Sequence, residues 1–306
     1  MLYRRILITG ANGLLGQALV ARLSEFAEYD LLATARQPAP LAKGASGGYQ
    51  ALDVTKPADV RRVFEDFTPD VVVNCAAMTQ VDACETDKER CWQVNVDAVD
   101  TLARNCLAHG SHLVQVSTDF VFDGTAGPYR EGARPKPLSF YGKSKLAGEN
   151  AARGAGLDAW SIARTVLVFG DGAHGTRSDF VRWVVRELSA GNRIRVVSDQ
   201  IRTPTFVRDL ANGVERLVRF GKVGTYHVSG REVVTILEFA HRIANVFGLD
   251  AGLIDPIVTS DLNSAAERPL NSGFIILKAE SELGYRPTPL DESLEIVRSI
   301  LATSPA

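Results

Sequence analysis

Tyr141 and Lys145 stand four residues apart in the stretch SFYGKSKLAGE (139–149), directly after the proline-spaced loop RPKPL. In a helix that spacing stacks two side chains on one face, so a phenol and an ammonium would lie side by side. An amphipathic surface pair would have the same spacing. A phenol beside a fixed cation has a second use. Its ordinary pKa of about 10 is too high for a proton relay at neutral pH, and a neighbouring positive charge lowers it. Upstream, VQVSTDFVFDG brings Ser117, Thr118 and Asp119 to the end of an apolar strand pattern.

A second cluster is made of glycines. ITGANGLLG (8–16) carries Gly10, Gly13 and Gly16 between a strand pattern and a helix pattern. In that context the first glycine permits a tight turn, the second lets backbone approach a pyrophosphate, and the third lets helix pack on strand. A purely structural strand–helix turn is the alternative. Gly10, Asn12, Gly13, Leu14, Leu15 and Gly16 are therefore the expected dinucleotide-binding turn. The next strand ends ATAR, with Thr34 and Arg36 and no acid. NAD sites usually place Asp or Glu there, about 20 residues beyond the glycines, whereas an arginine accommodates the extra phosphate of NADP. A solvated arginine gives the same sequence, and NADP(H) is expected over NAD(H). Asp53 and Val54, in LDV, stand where a carboxylate could meet the adenine amino group or simply make a turn. NCAA (74–77) closes another strand with Cys75, Ala76 and Ala77, small enough to admit a flat ligand. Tight helix–sheet packing would ask for the same smallness.

These residues need elements to hold them. RILITG, DLLATAR, YQALDV, PDVVVNCAA, HLVQVST and AWSIARTVLVFG read as strands. Between them lie the helical patterns GLLGQALVARLSEF, KPADVRRVFEDF with Pro57 in its first turn, a long run from Trp92 to His109, and the tyrosine helix. A Gly/Pro/Ser-rich loop is expected at 37–48. Strand–helix alternation predicts an α/β fold: a Rossmann-type doubly wound parallel sheet with a smaller C-terminal substrate-binding lobe. The expected cofactor domain is 1–165, with 199–220 returning to it. The expected lobe is mainly 166–306, discontinuous, with helices near 178–190, 207–220, 235–247 and 290–302 and short strands near 194–197 and 224–228.

Composition limits the function classes. The 306 residues are 45% hydrophobic and 23% charged with a net charge of −2, which suggests neither a nucleic-acid nor an anionic-membrane partner. The start MLYRRILITG is too short in apolar residues for a signal peptide, and no apolar run reaches membrane-span length. Four cysteines without CxxC pairing and five scattered histidines make no zinc pattern. Reduced, structural thiols, a cytoplasmic location and no metal are expected.

In order along the chain, ITGANGLLG, LDVT, PDVVVNCAA, STDFVFDG, PLSFYGKSKLAGE, DQIRTPTFVRDLA, GTYHVSG and RPLNS resemble the extended short-chain dehydrogenase/reductases. Within them they look like the dTDP-4-dehydrorhamnose reductase family, over nearly the whole chain. The resemblance implies that Tyr141 protonates the new alkoxide while Thr118 polarises the substrate carbonyl. Lys145 would lower the phenol's pKa and hold the nicotinamide ribose. Asn95 would support the lysine through water. It also implies a nucleotide-diphosphate sugar as substrate, with Thr79, Asp119, Phe120, Gln200, Arg202 and Arg268 on its side and the arginines as phosphate forks. A surface ion pair is the plainer alternative for either arginine. A homodimer is left open.

Phe120 stands where related dehydratases carry a glutamate, which favours simple reduction over elimination. Val166, Leu167 and Asp179 depart from the family's Ser, Trp and Asn and reshape the expected sugar pocket. The same resemblance extends to the regulatory subunit of methionine adenosyltransferase, notably at RTPTFVRDLA, GTYHVSGRE and RPLNS. That protein shares the YxxxK and uses the fold to bind a partner.

Overall fold

The computed structural model describes residues 4–41, 44–172 and 179–303. Residues 42–43 of the expected 37–48 loop, and residue 178 at the expected start of a helix, lie outside the described residues.

Strands β1 (Arg4–Thr9), β2 (Tyr29–Ala35), β3 (Tyr49–Ala51), β4 (Val71–Asn74), β5 (His112–Thr118) and β6 (Trp160–Thr165) pair in parallel, and strand Gly224–His227 closes one edge. The spatial order is Gly224–His227, β6, β5, β4, β1, β2, β3. The order therefore reverses between β1 and β4, and a crevice opens at their carboxyl ends, where sheets of this kind bind ligands.

Period-two alternation explains why both faces of the sheet are covered. Ile6, Ile8, Leu31, Val71 and Val73 point to one face. There they pack with Leu19, Val20 and Leu23 of helix α1 (Leu14–Leu23) and Leu210, Val214 and Leu217 of the helix Val207–Arg219. Leu7, Leu32 and Val72 point to the other. They meet Val60 and Phe64 of helix α2 (Pro57–Phe67) and Leu102 and Cys106 of the helix Ala98–His109. Each such buried aliphatic side chain contributes about 1.5–3 kcal/mol. The expected doubly wound parallel sheet is the observed one.

The strand at 224–227 belongs to the main sheet, and Phe274, Ile276 and Tyr285 also pack into the first face's core. A separate core joins Val181, Val184 and Leu188 of the helix Phe180–Ser189 to Phe239 and Ile243 of the helix Ile236–Phe247. It is completed by Leu294 and Val297 of the helix Leu290–Thr303.

Two expected elements are interrupted. The long helical run before β5 is built from Val81–Thr86, Lys88–Trp92, a π turn at Gln93–Asp97 and then Ala98–His109. The expected strand through 159–170 breaks after Thr165, because Leu167 takes a positive φ of 38°, before the short strand Val168–Phe169. A positive φ in a branched-chain residue is uncommon and redirects the chain sharply.

Candidate active site

The glycine turn is shaped by steric necessity at Gly10 and Gly16. Gly10 has φ +66°, and a Cβ there would lie 2.7 Å from the Ala76 nitrogen, so this turn sits directly on the end of β4. A Cβ on Gly16 would lie 2.3 Å from the Gly10 carbonyl oxygen and 2.6 Å from the Ala11 Cα, so helix and strand approach as only glycine permits. Gly13 caps α1, is exposed, and meets only the Gly10 oxygen at 3.2 Å. No side chain caps the helix, and Leu14 and Leu15 are half-buried beside it. The turn thus offers an open helix amino end and a hollow that a side chain would fill, which fits dinucleotide phosphates. Asn12 faces inward and pins the following loop. Its Nδ2 donates to the Ala39 carbonyl at 2.9 Å, and its Oδ1 accepts from the Leu41 nitrogen at 2.9 Å.

At the end of β2, Thr34 is buried and donates to the Ile8 carbonyl at 3.0 Å, leaving Arg36 exposed beside the turn. Asp53 accepts from the Thr55 nitrogen at 3.0 Å and the Thr55 hydroxyl at 2.7 Å. Burial pushes its carboxyl pKa up. The Thr55 bonds and the charges of Arg90 and Arg36 outweigh that and hold it below its ordinary value. Arg36 and Asp53 therefore border one space, while Val54 is buried in the core.

Cys75, Ala76 and Ala77 are half-buried at the crevice floor, and Thr79 is exposed beyond them. Asn95 shapes that segment. Its Oδ1 accepts from the Met78 nitrogen at 2.9 Å. Its Nδ2 donates to the Met78 carbonyl at 3.0 Å and the Ser144 hydroxyl at 3.0 Å. These bonds make Asn95 a clamp between the crevice loop and the tyrosine helix. The π turn makes the clamp close, since a Cβ on Gly148 would sit 2.3 Å from the Asn95 carbonyl oxygen. Turns of this kind recur at functional sites.

The tyrosine helix runs Phe140–Gly154, capped by Ser139, whose hydroxyl accepts from the Gly142 nitrogen at 3.2 Å. Tyr141, Lys145 and Thr118 are all buried and meet at the end of β5. The Lys145 ammonium donates to the Val116 carbonyl at 2.7 Å, and the Thr118 hydroxyl lies beside the phenol. Phe120 is half-buried and sets its ring edge-on to Tyr141 at 5.5 Å between centroids. Cys84 and Cys91 pack fully buried on the other side.

The electrostatics differ from the expected acidified phenol. Burial pushes the Tyr141 pKa well above its ordinary value, the Thr118 contact opposes that, and nearby Asp119 adds to it. Burial pulls Lys145 down to about 8, against the pull of Glu149. Desolvation outweighs the Thr118 contact, so Tyr141 rests as a neutral phenol.

Among the residues expected on the substrate side, Asp119 is buried and accepts from the Thr118 hydroxyl at 3.1 Å, from Ser272 and from the Arg202 Nε at 3.5 Å. Arg202 is itself buried. Its Nη1 donates to the Ile201 and Leu270 carbonyls at 2.8 and 3.1 Å, and its Nη2 to Pro269 and Gln200 at 2.7 and 3.1 Å. A guanidinium has five donors, and all five face protein acceptors. The expected phosphate fork is committed to holding Asp119 and the 269–270 turn. Gln200 is buried and donates to Thr259 at 3.0 Å. Arg268 pairs with Asp82 and remains half-exposed, the more accessible of the two arginines. At the positions that depart from the family pattern, Val166 is buried in the core, Leu167 is half-buried at the kink, and Asp179 caps the helix Phe180–Ser189.

Sequence reasoning missed Glu149. It is fully buried, and its place four residues beyond Lys145 on the same helix face was the signal that could have found it.

Known proteins share this arrangement along almost the whole chain. The family model described as RmlD substrate binding domain matches residues 4–302. A probable low-salt glycan biosynthesis reductase, Agl14, of Haloferax volcanii is 36% identical over 291 residues, covering 94% of this chain and 95% of that one. The crystal structure of dTDP-4-dehydrorhamnose reductase from Bacillus anthracis in complex with NADP is similar with a TM-score of 0.86 at 30% identity. It covers 98% of this chain and all of its own. The beta subunit of methionine adenosyltransferase 2 from Pongo abelii is 32% identical over 284 residues, covering 91% and 82%.

Proposed function

We propose, from the premise that this chain belongs to the RmlD substrate-binding-domain family, that it reduces the 4-keto group of a deoxysugar carried on a nucleoside diphosphate. The dTDP-4-dehydrorhamnose class is the closest fit. The observation that carries this reading is the buried meeting of Thr118, Tyr141 and Lys145. They gather on the crevice whose floor, at Cys75–Ala77, is continuous with the glycine turn.

A bound reduced nicotinamide would supply the hydride. The chain's own residues would do the rest. The glycine turn and the open end of α1 hold phosphates, and small side chains at 75–77 admit the ring. The Thr118 hydroxyl meets the substrate carbonyl oxygen, where negative charge develops. Tyr141, neutral at rest, is already in the form that can donate a proton to that oxygen. Its raised pKa therefore suits an acid in the reducing direction. Lys145, held on Val116 and one helical turn from Tyr141, would stabilise the phenolate left behind. Phe120 supplies no carboxylate to abstract an α proton, which favours reduction over dehydration.

The test is to mix the protein with NADPH and a dTDP-4-keto-6-deoxyhexose and follow the loss of reduced-nicotinamide absorbance. Oxidation that depends on both protein and sugar is expected; its absence sinks the reductase reading. The similarity to a methionine adenosyltransferase subunit motivates a second reading, in which the fold binds a partner enzyme. Stoichiometric capture of a purified methionine adenosyltransferase, without sugar-dependent oxidation, would favour it.

NADP(H) over NAD(H) is part of the proposal and rests on Arg36, exposed beside the turn with no acid at the end of β2. Arg36→Ala is expected to reduce the NADPH-to-NADH affinity ratio about tenfold, as loss of one charged hydrogen bond predicts. Fluorescence titration of both coenzymes checks it, and an unchanged ratio removes Arg36 from the site.

A further inference from the structure

Three consecutive residues of β5 face three residues spaced four apart on the tyrosine helix, and two of the pairs are hydrogen-bonded. The Val116 carbonyl accepts from Lys145 at 2.7 Å, the Ser117 hydroxyl donates to Glu149 at 2.6 Å, and the Thr118 hydroxyl meets Tyr141. The first and third of these belong to the site already described. The middle one has no part in the proposed chemistry, yet Glu149 is the most elaborately held carboxylate near the site. It is fully buried. Its oxygens accept from Arg164 Nε at 2.8 Å, Arg164 Nη2 at 2.7 Å and Arg153 Nη2 at 2.7 Å, besides Ser117. Arg164 is also buried, and it lies on β6 directly opposite Ser117 in the ladder. Arg153, from the last turn of the same helix, bridges onward to Thr225 on the edge strand at 3.2 Å.

A buried ion cluster of this kind is a costly way to hold a helix, since well-packed apolar residues usually serve as well or better. An anion on the face that carries Tyr141 and Lys145 does something an apolar residue cannot. We propose that Glu149 is a positioning residue of the Tyr141–Lys145 pair, locking the helix in register on β5 and keeping the buried lysine a cation. This rests on the reductase reading for its catalytic consequence but not for its electrostatic one.

The groups facing Lys145 are few. Glu149 is on its own helix, Cys75 follows β4, Cys84 and Cys91 come from the 81–92 segment, and β5 offers only the Val116 carbonyl. Burial has drawn the Lys145 pKa to about 8, so the cation survives at neutral pH by a narrow margin, and Glu149 is the largest of the groups opposing the fall. Removing that negative charge disfavours the ammonium, so the midpoint must move down, toward and then through neutrality.

The experiment titrates Lys145 directly by NMR of 15N-lysine-labelled protein, with the resonance assigned from Lys145→Met. Glu149→Gln keeps size and the Ser117 contact while removing charge. It is expected to lower the Lys145 midpoint by about one pH unit. At pH 7.5 it should lower kcat about threefold, the fall in the ammonium fraction as the midpoint moves from about 8 by one unit, with little change in KM for the sugar, and the alkaline limb of the kcat profile should move to lower pH. Glu149→Asp, which keeps the charge, should return the midpoint to that of the wild type.

If Glu149→Gln fails to fold because Arg164 is left unpaired, Glu149→Gln/Arg164→Met is compared with Arg164→Met alone, so that the two differ only in the carboxylate's charge, and the double variant's lysine midpoint is expected about one pH unit below that of the single one. A purely structural glutamate would lower stability in Gln and Asp alike and leave the lysine midpoint in place. An unmoved lysine midpoint in folded Glu149→Gln, or equal midpoints in the Arg164→Met pair, overturns the proposal. Absence of sugar reduction by the wild type overturns the reductase reading instead, and the lysine titration still decides the role of Glu149.

Discussion

Tyr141→Phe is expected to lower kcat for sugar-dependent NADPH oxidation by about 10²–10⁴-fold, the span of a lost general acid. NADPH affinity should change by less than about threefold, well under the factor that 1.4 kcal/mol represents. The substitution removes one oxygen and little else. The ring keeps its edge-on contact with Phe120 and its packing against Cys84 and Cys91. Lys145 keeps its bond to the Val116 carbonyl, and the Thr118 hydroxyl keeps Asp119 as a partner. Folding and the coenzyme cradle should therefore persist, and the deficit should lie in kcat. Single-turnover absorbance with saturating NADPH separates the two effects. Undiminished oxidation by Tyr141→Phe would mean that the proton comes from elsewhere, and Thr118 or solvent would inherit the role.

Much of this site is legible in the sequence because its chemistry depends on local spacing. Gly10, Gly13 and Gly16 announce a strand–helix turn, and Gly10 and Gly16 each have their own steric reason in the structure. Tyr141 and Lys145 are placed by helical periodicity alone, and the continuous apolar runs within 4–9 and 71–74 identify a sheet covered on both faces. The sequence is silent where the outcome depends on contacts between distant segments. An amphipathic pattern runs unbroken through Gln93–Asp97, and only the close approach of Gly148 to the Asn95 carbonyl shows why one turn is widened. Desolvation of Tyr141 is likewise a tertiary property. Spacing brings it a cation, but burial decides the sign of its shift. The edge strand at 224–227 is too short to declare its sheet. It joins β6 because Tyr226 and Val228 fill the core on the face covered by α1.

Arg202 is the sharpest such case, and its replacement is the other large expected effect. As an arginine in DQIRTP it reads as a phosphate fork, and a variant should then raise KM for the nucleotide sugar and leave the fold alone. The structure predicts the reverse. Four of its five donors are consumed by Gln200 and three carbonyls, the fifth, Nε, forms the ion pair with Asp119 at 3.5 Å, and both charges of that pair are buried. Arg202→Met strands Asp119 in a site where burial already pushes the pKa of its carboxyl up. Breaking such a pair from one side costs about 3–5 kcal/mol, which a denaturant midpoint would register directly. Asp119 is also the acceptor for the Thr118 hydroxyl, so kcat should fall with stability while KM stays within about twofold. The double variant Arg202→Met/Asp119→Leu removes both charges and should recover much of the lost stability, though not the kcat, because Thr118 has lost its partner. A tenfold rise in KM with an unshifted denaturation midpoint would return Arg202 to the substrate. The arginine to test for the diphosphate would otherwise be Arg268, whose single exposed carboxylate partner, Asp82, leaves it free to turn toward a ligand.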